Sequence, residues 1–311
     1  MTIHNHFSPV GGSEDSNTQF PSGRLLVGTL YSKENEFPEC VRSIRSQTFS
    51  TFDHIVIKDL PNKEAHVSLF KTFMEKSDRY ELLIKVDADM VLLSPNLFSD
   101  IIKKMNDHPD IQILSIAVQD FFSDQLIFGL NAYRNTVRWD FSKENLFVDI
   151  PLTEHKYIHF DGQELAPAAI HSGDPSPYHA FHYGVHRGLK VIQPEQTEIR
   201  ESSRRSKWTG IELVWKHYLR SRDTRLGLAC LGAELAYAGI FKISDLDIDN
   251  PKTENILNNF IKLKPIALRR EFFMIRFLNF GFLPSSRRRK LICFLADHGW
   301  KNILISWMVH A

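Results

Sequence analysis

The sequence predicts an α/β protein, a mostly parallel sheet domain followed by a helical C-terminal region. Three observations carry that reading. From residue 24 to about 118, short apolar runs alternate with amphipathic stretches, the rhythm of strands joined by crossover helices. From Trp208 onward the apolar period changes to that of helices. Between these regions the apolar run Leu82-Leu83-Ile84-Lys85-Val86 stops at Asp87-Ala88-Asp89, two acids spaced i, i+2 where a strand should end.

Composition narrows the classes. A chain of 311 residues with 43% hydrophobic content can bury a sizeable core. Its 38 basic and 37 acidic residues leave a net charge of +1, so no electrostatic footprint for nucleic acid is present. Cys40, Cys230 and Cys293 are far apart and form neither a disulfide framework nor a zinc spacing, which predicts a reducing, cytoplasmic setting. Residues 1–22 are rich in Ser, Asn, Gly and Asp and are expected to be disordered; they lack the basic flank and apolar stretch of a secretory signal. His4 and His6 there read as solvated tail residues. No long uninterrupted apolar run occurs, so no transmembrane helix is expected.

The elements follow in order. Arg24–Leu30 reads as the first strand, and Pro38 opens a helix to about Gln47 with Phe37, Val41 and Ile44 on one side. Phe52–Asp59 is the second strand and ends on an acid. Residues 63–77 are helical by the spacing of Val67, Phe70, Phe73 and Met74. The strand 81–86 leads to the acid pair, after which Ser94 is the expected N-cap and Pro95 the first residue of a helix to Met105. Ile111–Val118 is the fourth strand. Residues 120–170 hold shorter apolar pieces, 126–128, 146–148 and 157–160, that suit hairpins or mixed strands. A helix with Tyr178, Phe181, Tyr183 and Val185 closes at Arg187-Gly188. After the polar run 195–207, helical spacing covers 208–219, 225–241, 253–262, 266–280 and 287–309. The predicted division is a disordered segment 1–22, a sheet domain 23–200 and a helical region 201–311.

The chemistry concentrates at Asp87-Ala88-Asp89. In open α/β sheets ligands bind beyond the carboxyl ends of strands, and a carboxylate pair there suits a hard divalent cation that also takes substrate phosphates. A second copy of the pattern, Asp245-Leu246-Asp247-Ile248-Asp249, runs into Asn250-Pro251 and reads as a solvated turn. Lys85, inside the third strand, is placed to reach a phosphate. His179, His182 and His186 fall on one helical face with His171 and Asp174 upstream, a set that could also hold zinc, although no His-Glu-x-x-His pattern accompanies them. Among acids able to deprotonate a hydroxyl are Asp120, Asp124, Asp149, Glu154, Asp161 and Glu164; Asp120 at the end of the fourth strand and Asp161 in Phe160-Asp161-Gly162 rank first.

The first strand ending near Thr29, the strand ending at Asp59, Asp87-Ala88-Asp89, and His171 with the helix after it together resemble GT-A-fold glycosyltransferases. The resemblance covers residues 24–190 and is nearest to the family-2-like enzymes that build bacterial surface polysaccharides. It implies a UDP-sugar or other nucleotide-sugar donor held through Mn2+ or Mg2+ and a glycan or lipid-linked acceptor. It assigns metal binding to Asp89, Asp87 and His171, with Asp87 also near the ribose. It places Thr29, Asp59 and Glu34 around the nucleotide. Asp59 lies in Lys58-Asp59-Leu60-Pro61, where the family has tandem acids followed by Gly-Ser. The tail adds Arg269, Arg270, Arg276 and 287–290 among aromatic residues, a pattern suited to peripheral contact with the inner face of a membrane. Two other readings use the same features: a nucleotidyltransferase, and a non-catalytic glycan- or nucleotide-binding module.

Overall fold

Strand β1 (Leu25–Tyr31) sits at the centre of the first half's topology, with parallel partners on both sides: β2 (Phe52–Lys58) and β3 (Leu82–Lys85). The computed structural model describes residues 25–141, 146–151, 157–160, 167–192, 201–247 and 250–280. Apolar alternation along β1 feeds two cores. Leu25 and Val27 pack with helices α1 (Phe37–Arg45) and α3 (Leu97–Asp107) on one sheet face; Leu26 and Leu30 pack with α2 (Asn62–Glu75) on the other. Both faces are therefore covered, which is why these strands read as nearly continuous apolar runs.

The fourth expected strand, β5 (Ile113–Asp120), does not lie beside β3. The hairpin strand β6 (Gln125–Arg134) is inserted antiparallel between them, so β5 still runs in the direction of β1, β2 and β3. On its far side β5 pairs in parallel with β7 (Tyr157–Phe160) and β8 (Ala169–His171), and β8 pairs antiparallel with β4 (Met90–Leu92). The order is β2-β1-β3-β6-β5-β8-β4, with β7 off this path. Parallel pairings predominate among the described strands, in keeping with the predicted α/β class and its mostly parallel sheet.

Two local expectations change. The acid pair is followed by β4, and α3 starts later than expected, with Asn96 in the cap position in place of Ser94. Strand β4 gets its hydrogen bonds from β8, some eighty residues on, a partner that no local pattern signals. Residues 146–148 form a buried turn and no strand. The segment 1–22 and the helix expected over 287–309 lie outside the described residues.

The chain separates into two compact units between Asp174 and Pro175, with Phe122–Asp124 belonging to the second. The helix α4 (Pro177–Ile192) thus stands between that division and the compositional change near 200. The second unit also holds α5 (Glu201–Ser221), α6 (Thr224–Tyr237), α7 (Pro251–Phe260) and α8 (Pro265–Phe280). Every residue of α6 from Leu226 to Ala236 is buried; all but Glu234, whose Oε1 lies 3.6 Å from Arg276 Nη1, are apolar or glycine. It meets α4 through small residues: a Cβ at Gly184 would lie 1.8 Å from the Ala229 carbonyl oxygen, and one at Gly232 would lie 2.3 Å from that of Phe181. Gly210 on α5 has nothing within 4 Å of such a Cβ.

Gly184→Ala should therefore destabilise the second unit by about 3 kcal/mol, the upper end of overpacking costs. Gly210→Ala should stabilise its helix by up to about 1 kcal/mol. Urea unfolding of both variants checks the pair; equal effects would refute the close α4–α6 approach.

Candidate functional site

Alternation along β3 decides the surroundings of the acid pair. Leu82 and Ile84 face the α1/α3 core and Leu83 faces the α2 core, so Lys85 emerges on the α2 face, 5% exposed, just where the chain leaves the sheet. Its ammonium lies 2.6 Å from both carboxylate oxygens of Asp87. Burial opposes that charge, but Asp87 and Asp149 outweigh it and hold the Lys85 pKa above its ordinary value. On the α2 side, burial and the Lys85 charge push His66 downward, and its Nδ1 bonds the Asn62 carbonyl.

Asp89 is held by a different set of elements. Strand pairing sets Met90 beside His171 and His171 beside Asp120. The His171 ring lies between two carboxylates, with Nδ1 2.8 Å from Asp120 Oδ1 and Nε2 3.3 Å from Asp89 Oδ2. Ser172 Oγ donates to the same Asp89 Oδ2, and the Ser172 N–H donates to the Asp89 carbonyl. Asp89 Oδ1 is closed to solvent and has no hydrogen-bond partner among the described residues. An unpaired buried carboxylate oxygen costs on the order of 1–3 kcal/mol, so the geometry keeps an acceptor unused at a stability cost.

The β1–α1 loop adds acids. Burial pushes Glu34 up to about 7 against the pull of the Ser32 N–H, and the Asp89 and Asp87 charges add to the rise. Glu36 is buried and also raised by burial; its Oε1 accepts the Asp174 N–H at 2.8 Å, while Asn35 Nδ2 donates to the Asp174 carbonyl. Beneath the pair, Cys40 Sγ lies 3.6 Å from the Asp87 carbonyl, its thiol pushed up to about 12 by burial and the surrounding acids. This thiol is an inert packing group.

The structure thus brings Asp87, Asp89, His171, Lys85, Asp120 and Glu34 to one end of the sheet. Their roles differ from a simple three-ligand shell. Among the described residues no three His, Cys, Asp or Glu side chains converge to hold a metal ion, and the Asp87 carboxylate is turned onto Lys85. Asp120, expected as a base, is 1% exposed and bonded to His171, so its oxygen faces the imidazole. Thr29 is fully buried with Oγ1 2.9 Å from His54 Nε2; burial, with Arg45 adding, lowers His54 to about 4 and leaves it neutral at pH 7. Asp59 is exposed at the end of β2 in a left-handed conformation, φ 53°, one that Asp tolerates better than most residues. Asp161, Glu154 and Glu164 lie outside the described residues. Sequence reading missed Ser172 and Glu36 and met Asp174 only as an acid upstream of the histidine face; their partners are distant along the chain.

The rival clusters resolve into packing. His179 Nδ1 bonds Ser176, and His182 Nε2 lies 2.8 Å from the Leu246 carbonyl, so these rings are occupied separately. Asp245, in the second acid repeat, accepts the Lys242 N–H and pairs with Lys252 at 2.6 Å. It therefore staples a turn, less solvated than expected.

No family model and no curated protein matches the chain. Solved structures with partial similarity include the mannosyltransferase PcManGT from Pyrobaculum calidifontis, in complex with GDP-Man and Mn2+. It shows 12% identity and a TM-score of 0.35 over 84% of this chain and 88% of that one. Another is A197 from STIV, at 14% identity and a TM-score of 0.29 over 36% of this chain and 64%, just under two thirds, of that one. At such scores neither bears on activity. No described helix is long and apolar enough to cross a membrane.

The two aspartates should separate in stability. Asp87→Ala strands a buried ammonium and should cost about 3–5 kcal/mol. Asp89→Ala loses one hydroxyl bond but removes the orphan oxygen, so it should fall within about 1 kcal/mol of wild type. Urea denaturation of each variant reads this contrast; a large loss at Asp89 alone would reverse the assignment.

Proposed function

We propose that this protein is a metal-dependent glycosyltransferase of the GT-A type, moving a sugar from a nucleotide-sugar donor to a hydroxyl of a glycan or lipid-linked acceptor in surface polysaccharide synthesis. The observation that carries the reading is the unpartnered Asp89 Oδ1 at the carboxyl end of a central strand, beside an Asp87 already neutralised by Lys85. Mg2+ and Mn2+ are bound through one or two carboxylates plus substrate phosphates, so a site short of protein ligands fits such a cation. Asp89 would hold it, with His171 as the neighbouring ligand. When bound, the cation would neutralise charge on the diphosphate leaving group.

The chain's own groups supply the rest. In this reading Asp120 fixes the His171 tautomer by accepting from Nδ1, leaving Nε2 as the ligating nitrogen, the arrangement common in carboxylate–histidine metal sites. Lys85 offsets the Asp87 charge, which lessens the repulsion of a diphosphate beside it. Asp59 and Glu34 border the nucleotide in this reading, and Thr29 acts through the strand it braces. Acceptor deprotonation in an inverting transfer falls to a carboxylate other than Asp120, with Asp161 the candidate.

The second unit offers a surface for the acceptor's membrane. Ile266, Arg269, Arg270 and Phe273 form one stripe along α8, with Ile266 83% exposed, and the exposed Ile261, Lys262 and Lys264 precede it. The only acid in 261–276, Glu271, is buried. Apolar anchors among cations suit an anionic lipid surface. The protein should co-sediment with phosphatidylglycerol-containing vesicles, and less so at high salt. Charge reversal of Lys262, Lys264 and Arg270 should abolish this; equal binding to neutral vesicles would exclude the electrostatic reading.

The central test is calorimetric titration of UDP, GDP and other nucleoside diphosphates, with and without Mn2+, into wild type and Asp89→Ala. Binding should require Mn2+ and weaken about 10-fold or more in the variant. Failure of folded wild type to bind any of them would remove the transferase reading. Turnover that releases pyrophosphate in place of nucleoside diphosphate would identify a nucleotidyltransferase.

A further inference from the structure

We propose that Ser172 is a positioning residue for Asp89, fixing one carboxylate oxygen so that the other is the one left without a protein partner for a divalent cation. The proposal rests on the metal-dependent reading above and assigns a role to a residue outside the set that reading uses.

The geometry at Ser172 is specific. It is the first residue after β8, it is buried, and its φ is 52°, inside the left-handed region where a Cβ is strained and glycine is not. Its hydroxyl donates to Asp89 Oδ2 at 2.5 Å and its N–H to the Asp89 carbonyl at 2.8 Å. Asp89 is thus gripped at both side chain and backbone by one residue. His171 Nε2 lies 3.3 Å from the same Oδ2, so both neighbours stand on one side of the carboxylate and neither reaches Oδ1.

The turn that carries Ser172 is itself anchored. Two residues on, the Asp174 N–H is held by Glu36 and its carbonyl by Asn35, both in the β1–α1 loop. Glycine would satisfy the backbone at 172 with less strain, and a glycine stands next door at 173. What serine adds at that position is the hydroxyl, and the hydroxyl's partner is the acid with the unused oxygen. Groups that orient a ligating carboxylate typically change metal affinity 10–100-fold when removed.

Ser172→Gly separates this role from a structural one, because it relieves the backbone while deleting the hydroxyl. Mn2+ binding is read by electron paramagnetic resonance of the free ion, at saturating concentration of the nucleoside diphosphate that wild type binds best. The proposal expects Ser172→Gly to melt at or above the wild-type temperature and to bind Mn2+ about 10-fold more weakly. Ser172→Ala, with the same backbone strain as serine, should show the same loss. Mn2+ affinity within twofold of wild type in a folded Ser172→Gly variant would overturn the proposal. A marked drop in melting temperature in that variant would do the same, since it would make the hydroxyl a structural tie. If wild type binds neither Mn2+ nor nucleotide, the metal-dependent reading fails before any variant is compared.

Discussion

A buried ammonium makes the acidic strand tip possible. Two carboxylates two residues apart at the end of a central strand, with Glu34 and Glu36 close by, would repel one another and resist burial. Lys85 sits one step inside the strand and takes both oxygens of Asp87. Its place depends on alternation: one residue more or fewer between Leu83 and Lys85 would turn the lysine into the α1/α3 core. Strand register, through that one side chain, thus sets the charge that the rest of the site can carry.

With Asp87 satisfied, Asp89 is the residue left incomplete. Everything around it acts to hold it still. Asp120 holds His171, Ser172 holds one oxygen of Asp89, and the turn beyond them is tied to the β1–α1 loop. The non-glycine residues at positive φ include Lys33, Asp59 and Ser172, all in loops at this end of the sheet. Strain of this kind persists where surrounding bonds over-determine the backbone, and it marks places where function takes precedence over stability. The second unit shows the opposite economy. Its central helix is buried on nearly all sides and approaches its neighbour through glycines, a solution governed mainly by packing.

The helices and the three strands β1, β2 and β3 were legible because each is defined by its own periodicity. So was the acid pair, whose abrupt position after an apolar run needs no partner to be seen. The pieces that were not legible share one property. β4 exists only because β8 pairs with it, β6 separates β3 from β5 by returning along the sheet, and Asp120 changes from an available base to a histidine's partner because β8 is laid beside it. Ser172 looked like an ordinary turn residue, since the carboxylate it binds precedes it by 83 residues.

The sequence by itself determined the α/β class and the strand end at which charge collects. Period and polarity are local properties, and a dozen residues suffice to express them. Only the tertiary structure decided which oxygen of which aspartate stays unpaired, which face Lys85 takes, and that His171 stands between two carboxylates. Those outcomes depend on hydrogen bonds between residues far apart in the chain, and such bonds are fixed by strand register and chain reversal, which local pattern does not encode.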